Sequence, residues 1–118
     1  MTYIDGFLAP VLKGTDADAY RDYAAKAAPI FKEHGATRVV EGWGDDVPHG
    51  RRTDFFRAVD AQEGETVVFS WIEWPDKATR DAGMPKVMAD PRMQPGAEPM
   101  PFDGKRLIFG GFRALLDI

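Results

Sequence analysis

Residues 65–75 read ETVVFSWIEWP and carry two of the three tryptophans in a chain of 118 residues. In period 2, Val67, Phe69, Trp71 and Glu73 share one face, while Val68, Ser70, Ile72 and Trp74 share the other. β-Branched and aromatic residues closed by Pro75 favour a strand over a helix. Both faces are mostly apolar, so this strand must be covered on both sides. Helices of the same chain can supply one cover; a second copy is the economical source of the other. Trp71 is expected to be buried by one of them, and its truncation to alanine to cost about 3–5 kcal/mol.

Upstream, Tyr3–Val11 alternates as a first strand that Pro10 limits, because proline lacks a ladder donor. Thr15, with Asp18 three residues on, resembles a capping box and opens a helix over residues 16–34. Tyr20, Tyr23, Ala24, Ala27 and Phe31 form its buried stripe, and Gly35 suits its C-terminal cap. Pro29 costs about 3 kcal/mol in a helix interior and predicts a kink over residues 26–29. A second strand follows at 36–45, then a turn, then a short helix capped by Thr53 with Phe55, Ala58 and Val59 on one side.

Downstream of Pro75, Asp76 is the N-cap of a second long helix ending near Asp90, with Ala78, Ala82, Met84, Val87 and Met88 as its apolar side. Gly83 and Pro85 weaken its middle. Residues 91–105 hold four prolines and two glycines, a loop long enough to be a lid or an assembly arm. The last strand, 105–115, alternates Leu107, Phe109 and Gly111 against Ile108, Gly110 and Phe112.

The order is β-α-β-(short helix)-β-α-β. One domain over residues 1–118 is expected, of the α+β class: a ferredoxin-like β-α-β-β-α-β unit with a four-stranded antiparallel sheet and helices on one face. The other face then calls for a second sheet, and a two-fold homodimer.

Composition removes many alternatives. At 44% hydrophobic and 29% charged, the chain is globular. No apolar run reaches about 18 residues and no basic start leads into an apolar stretch, so a cytoplasmic protein with no membrane partner is expected. The absence of cysteine excludes disulfides, thiolate nucleophiles and Cys-ligated metal centres. A net charge of −4 argues against a partner held by phosphate neutralisation.

Several blocks are similar to the YbaA-like proteins, domain-of-unknown-function family 1428. They are YIDGF at 3–7, FKEHGATRVVEGWGDDVP at 31–48, EGETVVFSWIEWP at 63–75, VMADPRM at 87–93, and MPFDGKR with GGF between 100 and 112. The resemblance spans nearly the whole chain. It implies a dimeric α/β barrel, a fold shared with antibiotic-biosynthesis monooxygenases, muconolactone isomerase-like proteins and haem-binding relatives. This chain departs from the family pattern at Gly42, where cysteine is common.

Glu41, Trp43 and Asp45 share one strand face, and Trp71 with Glu73 another, so acids and aromatics are expected to converge between two sheets. A desolvated carboxylate there can transfer protons. The competing reading pairs Glu41 and Glu73 with arginines such as Arg38 or Arg106 and leaves the tryptophans as dimer core. His34 and His49 lack metal-pair spacing, and no metal or cofactor is expected. Ser70 sits mid-strand, outside a nucleophile elbow. IFGGF at 108–112 resembles the aromatic platform of RNA-recognition domains, without their basic balance. Met84, Met88, Met93 and Met100, with Phe102, are suited to a soft lid over an apolar ligand or to filling core.

Three functions compete on these residues. The first is a homodimer binding a small, partly apolar metabolite between sheet and helices, with Glu41, Trp43, Trp71, Glu73 and Phe102 as ligand-binding residues. The second is a cofactor-independent monooxygenase or isomerase with Glu41 or Glu73 as base. The third, least favoured, is an RNA-binding module.

Overall fold

The stretch 65–75 forms an inner strand with a neighbour on each side. The computed structural model describes residues 1–94, 96 and 99–118. Strands β1 (Tyr3–Val11), β2 (Arg38–Trp43), β3 (Thr66–Trp74) and β4 (Ile108–Arg113) make one antiparallel sheet in the order β2-β3-β1-β4. This is the ferredoxin-like arrangement. Pro10 is tolerated in an inner strand because β4 pairs only with Tyr3 to Leu8 of β1. No ladder partner on that side needs the missing donor.

Helices α1 (Ala17–Glu33) and α3 (Lys77–Ala89) lie on one face, with the short helix α2 (Phe55–Ala58) between β2 and β3. Their starts correct two expected caps. Asp16, not Thr15, caps α1 by accepting from Ala19 N at 2.8 Å. Asp54, not Thr53, caps α2 by accepting from Arg57 N at 2.7 Å. In both Thr-Asp pairs the carboxylate reaches the N–H three residues on and gives a charge-assisted bond. Asp76 caps α3 as expected. α1 runs through Pro29 without a break.

The alternation read from the sequence holds in space. Val68, Ile72 and Trp74 are buried under the helices with Ile30, Phe31 and Val87. The stripe foreseen for α3 is rotated: Ala78 and Ala82 are exposed, and Gly83, Met84 and Val87 face inward. The expected uncovered face is in fact half-covered. Val59, Phe56, Val47 and Ala61, in and around α2, pack over Leu8 and Val67.

What stays open is an apolar patch that includes Phe69, Ile108 and Phe112, 50%, 46% and 62% exposed. Trp71 lies in this patch, half-buried within the single chain and on the face away from the helices; the fully buried tryptophan is Trp74. Among the described residues no helix is long and apolar enough to cross a membrane.

The long loop is anchored at both ends. A 3-10 turn at Pro91–Met93 is tied down by Arg92, which bonds Asp90 and Glu33. At the far end Val11 bridges Phe102, and Leu12 N donates to Pro101 O at 2.9 Å. Residues 95, 97 and 98, within the stretch expected as a lid or arm, lie outside the described residues.

Candidate functional site

Between the helix-facing side of the sheet and α1, α3 and Phe102 lies a cavity of about 420 Å³. It exists because the inward residues of the middle strands are small: Ala9, Val68 and Ser70 stand opposite Ala24 and Ala27 of α1. Tyr23 and Ala27, expected as buried stripe, are only half-buried for this reason. Met84, Met88 and Met93 with Phe102 complete the wall, while Met100, grouped with them in the sequence, lines a separate hollow with Tyr23 and Ile30.

Polar groups enter this apolar space at two places. Glu41 of β2 pairs with Ser70 of β3 in the sheet, so the two side chains lie side by side. The Tyr20 hydroxyl donates to Glu41 Oε2 at 2.9 Å, and the Ser70 hydroxyl stands beside the same carboxylate and favours its charged form. Glu41 is on an edge strand and remains solvent-accessible, yet the protein crowded around it pushes its carboxyl above the ordinary carboxylate range. The bonds from Tyr20 and Ser70 oppose that shift. Tyr20 is driven up as well, first by burial and then by the Glu41 charge, so its hydroxyl stays a donor.

The second place is Asp5, 2% exposed. Arg80 of α3 grips it through Nε and Nη2, the shortest bond being 2.8 Å, and Trp74 Nε1 donates to it at 2.9 Å. The guanidinium also lies over the Tyr3 ring, 5.1 Å from its centroid. Arg80 carries a second, exposed partner on its own helix, its Nη1 donating to Asp81 at 3.0 Å.

The five residues singled out by sequence do not converge. Glu41 and Phe102 line the cavity, and Trp43 adjoins it through Tyr20, with ring centroids 5.9 Å apart. Trp71 and Glu73 are on the opposite face of the sheet. There Glu73 accepts from Trp71 Nε1 at 2.8 Å and pairs with Arg38 at 3.5 Å. Arg106 pairs with Glu65 and Asp103 instead of either candidate acid. The ladder explains the split. Arg38 pairs with Glu73 and Glu41 with Ser70, so the two acids are three positions apart along it and must point opposite ways. Gly42 is likewise on the open face, away from the cavity.

Tyr20, Ser70, Asp5 and Arg80 were not recognised as site residues. Arg80 carried a usable signal: a cation in register with Gly83, Met84 and Val87 on the inward side of α3. The others needed the register itself. The two histidines have structural neighbours: His34 lies 4.0 Å from Asp90, and His49 stacks on Phe56 at 4.5 Å. Among the described residues no group of three or more His, Cys, Asp or Glu side chains could hold a metal ion. The aromatics of IFGGF form no common platform, since Phe109 lines the cavity and Phe112 is on the open face.

A family profile described as "Protein of unknown function (DUF1428)" matches residues 2–104. The chain is 58% identical over 117 residues to the uncharacterized protein YbaA of Escherichia coli strain K12, covering 99% of each chain. The same figures hold for the uncharacterized protein YbaA of Shigella flexneri. Among solved structures it is similar to a dimeric ferredoxin-like protein from an uncultured marine organism, with a TM-score of 0.63, 13% identity and coverage of 99% of this chain and 98% of that one. It is also similar to a mutant of SnoaB, a cofactor-independent oxygenase from Streptomyces nogalater, with a TM-score of 0.53, 15% identity and coverage of 98% and 96%. At these identities the two structures speak for the fold.

Proposed function

This chain belongs to the DUF1428 family, and from that starting point we propose that it is a homodimer binding a small, partly apolar metabolite in the cavity between sheet and helices. The observation that carries the reading is the cavity itself. It is about 420 Å³, walled by aromatic and thioether side chains, and supplied with one convergent polar group, Glu41 with Tyr20 and Ser70. That is the usual constitution of a small-molecule site. Self-association is supported by the open apolar patch around Phe69 and Phe112 and by the dimeric state of the ferredoxin-like neighbour.

The test is titration with the neutral fluorophore N-phenyl-1-naphthylamine. The expected result is a saturable fluorescence increase that disappears in Met84→Trp, a variant that fills the cavity, while circular dichroism stays unchanged. Absence of saturable binding, or binding that Met84→Trp leaves intact, would remove the cavity as the site.

The second reading is a cofactor-independent oxygenase or isomerase with Glu41 as base. Its specific support is the raised Glu41 carboxyl beside an open cavity, a proton acceptor brought nearer to neutrality. The oxygenase activity of SnoaB adds only an analogy of fold. Glu73 drops out as base because Arg38 and Trp71 occupy its carboxylate. A molecule recovered with the protein from cells should then be converted by the native chain and not by Glu41→Gln.

A further inference from the structure

We infer that the molecule taken by this cavity is a hydrophobic amine, bound with its ammonium on Glu41 and its apolar body against the aromatic and thioether walls. The inference rests on the reading of the cavity as a small-molecule site and adds the chemical class.

The argument is one of charge. Among the described residues that line the cavity, the acids are Asp5 and Glu41 and the base is Arg80. Asp5 and Arg80 neutralise each other through three contacts, and Trp74 takes up a further lone pair of Asp5. Glu41 is left with two neutral hydroxyl partners, Tyr20 and Ser70, and no cation among the described residues. A carboxylate accepts up to about four hydrogen bonds, so the Glu41 carboxylate keeps free lone pairs.

An anionic ligand would meet like charge there, and a neutral one would leave that charge to solvent alone. An ammonium supplies both the missing charge and a charge-assisted hydrogen bond. The neighbouring rings supply the apolar wall beside that carboxylate. Phe102 stands edge-on to Tyr20 and Tyr23, at 6.5 and 6.0 Å between centroids, close to the carboxylate that Tyr20 touches.

The experiment compares three probes that share one fused ring and differ in head group: 2-naphthylmethylamine, 2-naphthylmethanol and 2-naphthoic acid. Each is titrated calorimetrically into the full chain at about pH 8, where the alkyl ammonium stays charged. The amine is expected to bind about tenfold or more tighter than the alcohol, and the acid weakest. In Glu41→Gln the amine should lose that advantage while the alcohol keeps its affinity. Equal or tighter binding of the alcohol in the native chain would overturn the amine assignment and leave the cavity reading standing. Tightest binding of the acid would do the same. If none of the three binds, the cavity reading falls with it. The ranking in the native chain decides the matter even if Glu41→Gln does not fold.

Discussion

Replacing Gly83 with alanine sets two effects of opposite sign against each other. Gly83 lies inside α3, where glycine is worth about 0.8–1.0 kcal/mol less than alanine, so propensity alone predicts a gain. Here, however, Gly83 is the point at which α3 touches the end of α1. An added Cβ would run into the His34 carbonyl oxygen and stand 2.9 Å from Cζ3 of Trp74, whose side chain is fully buried. The first obstacle is backbone and the second is locked in the core, so neither can turn away. α3 would have to lift off the packing it shares with Trp74 and Val87. Overpacking of this kind costs about 1–3 kcal/mol, and two rigid obstacles place it toward the upper end. The net expectation is destabilisation by about 1–2 kcal/mol, or a fall in Tm of roughly 4–12 °C. Urea and thermal denaturation followed by tryptophan fluorescence, at matched protein concentration, measure it. Ala82→Gly on the exposed side of the same turn is the control, expected to lose about 1 kcal/mol through propensity alone. A Gly83→Ala chain more stable than the native one would show that α1 and α3 do not meet this closely.

Three further expectations follow from the site and the open face. Asp5→Asn keeps an acceptor for Trp74 but removes the buried counter-ion of Arg80, leaving it only the exposed Asp81, and should cost about 2–4 kcal/mol in urea denaturation; a change too small to measure would make the pair dispensable. Because the Glu41 carboxyl is raised on folding, the folded chain holds that proton more tightly than the unfolded one. Ionising Glu41 therefore lowers stability as pH rises from its unfolded value through its folded one. Glu41→Gln should then be more stable than the native chain near neutrality and lose the advantage at acid pH; a difference in Tm that does not vary with pH would contradict it. Finally, Phe69→Lys and Phe112→Asp, both in the open patch, should convert a two-chain solution mass to one chain with unchanged circular dichroism, whereas a native chain already of single mass would dispose of the dimer.

Much of the fold was legible because strands and helices advertise their periods. The two faces of residues 66–74 were assigned correctly from alternation alone, since a pleated strand allows only two directions. The caps were missed by one residue for a local reason. In Thr15-Asp16 and Thr53-Asp54 either side chain can cap, and which one does depends on where the backbone enters the helix. The rotation of α3 was missed because its small and sulfur-bearing residues are spread around the helix. Gly83 was read as a weakness when it is the point of closest helix contact. The cavity was not legible at all: a hollow is the difference between volumes on separate elements, here Ala24 and Ala27 against Ala9, Val68 and Ser70.

The placing of Glu41 and Glu73 shows how one inner strand divides two tasks. β3 sends Val68, Ser70 and Ile72 toward the cavity and Phe69, Trp71 and Glu73 toward the open face. A one-residue slip of β2 against β3 would exchange these roles, bringing Arg38 and Val40 to the cavity side and carrying Glu41 out beside Trp71. The register is held by pairs that would be broken in that slip: Arg38 with Glu73 on one side, and Tyr20 through Glu41 on the other. Glu73 thus acts on the cavity only through the ladder, by keeping β2 in the position that aims Glu41 inward. Glu73→Gln should therefore loosen the β2 edge, visible as faster amide exchange in Arg38–Trp43, while leaving a binding preference set by Glu41 in place. Loss of that preference without any change in exchange would mean that the two faces are coupled by something other than strand register.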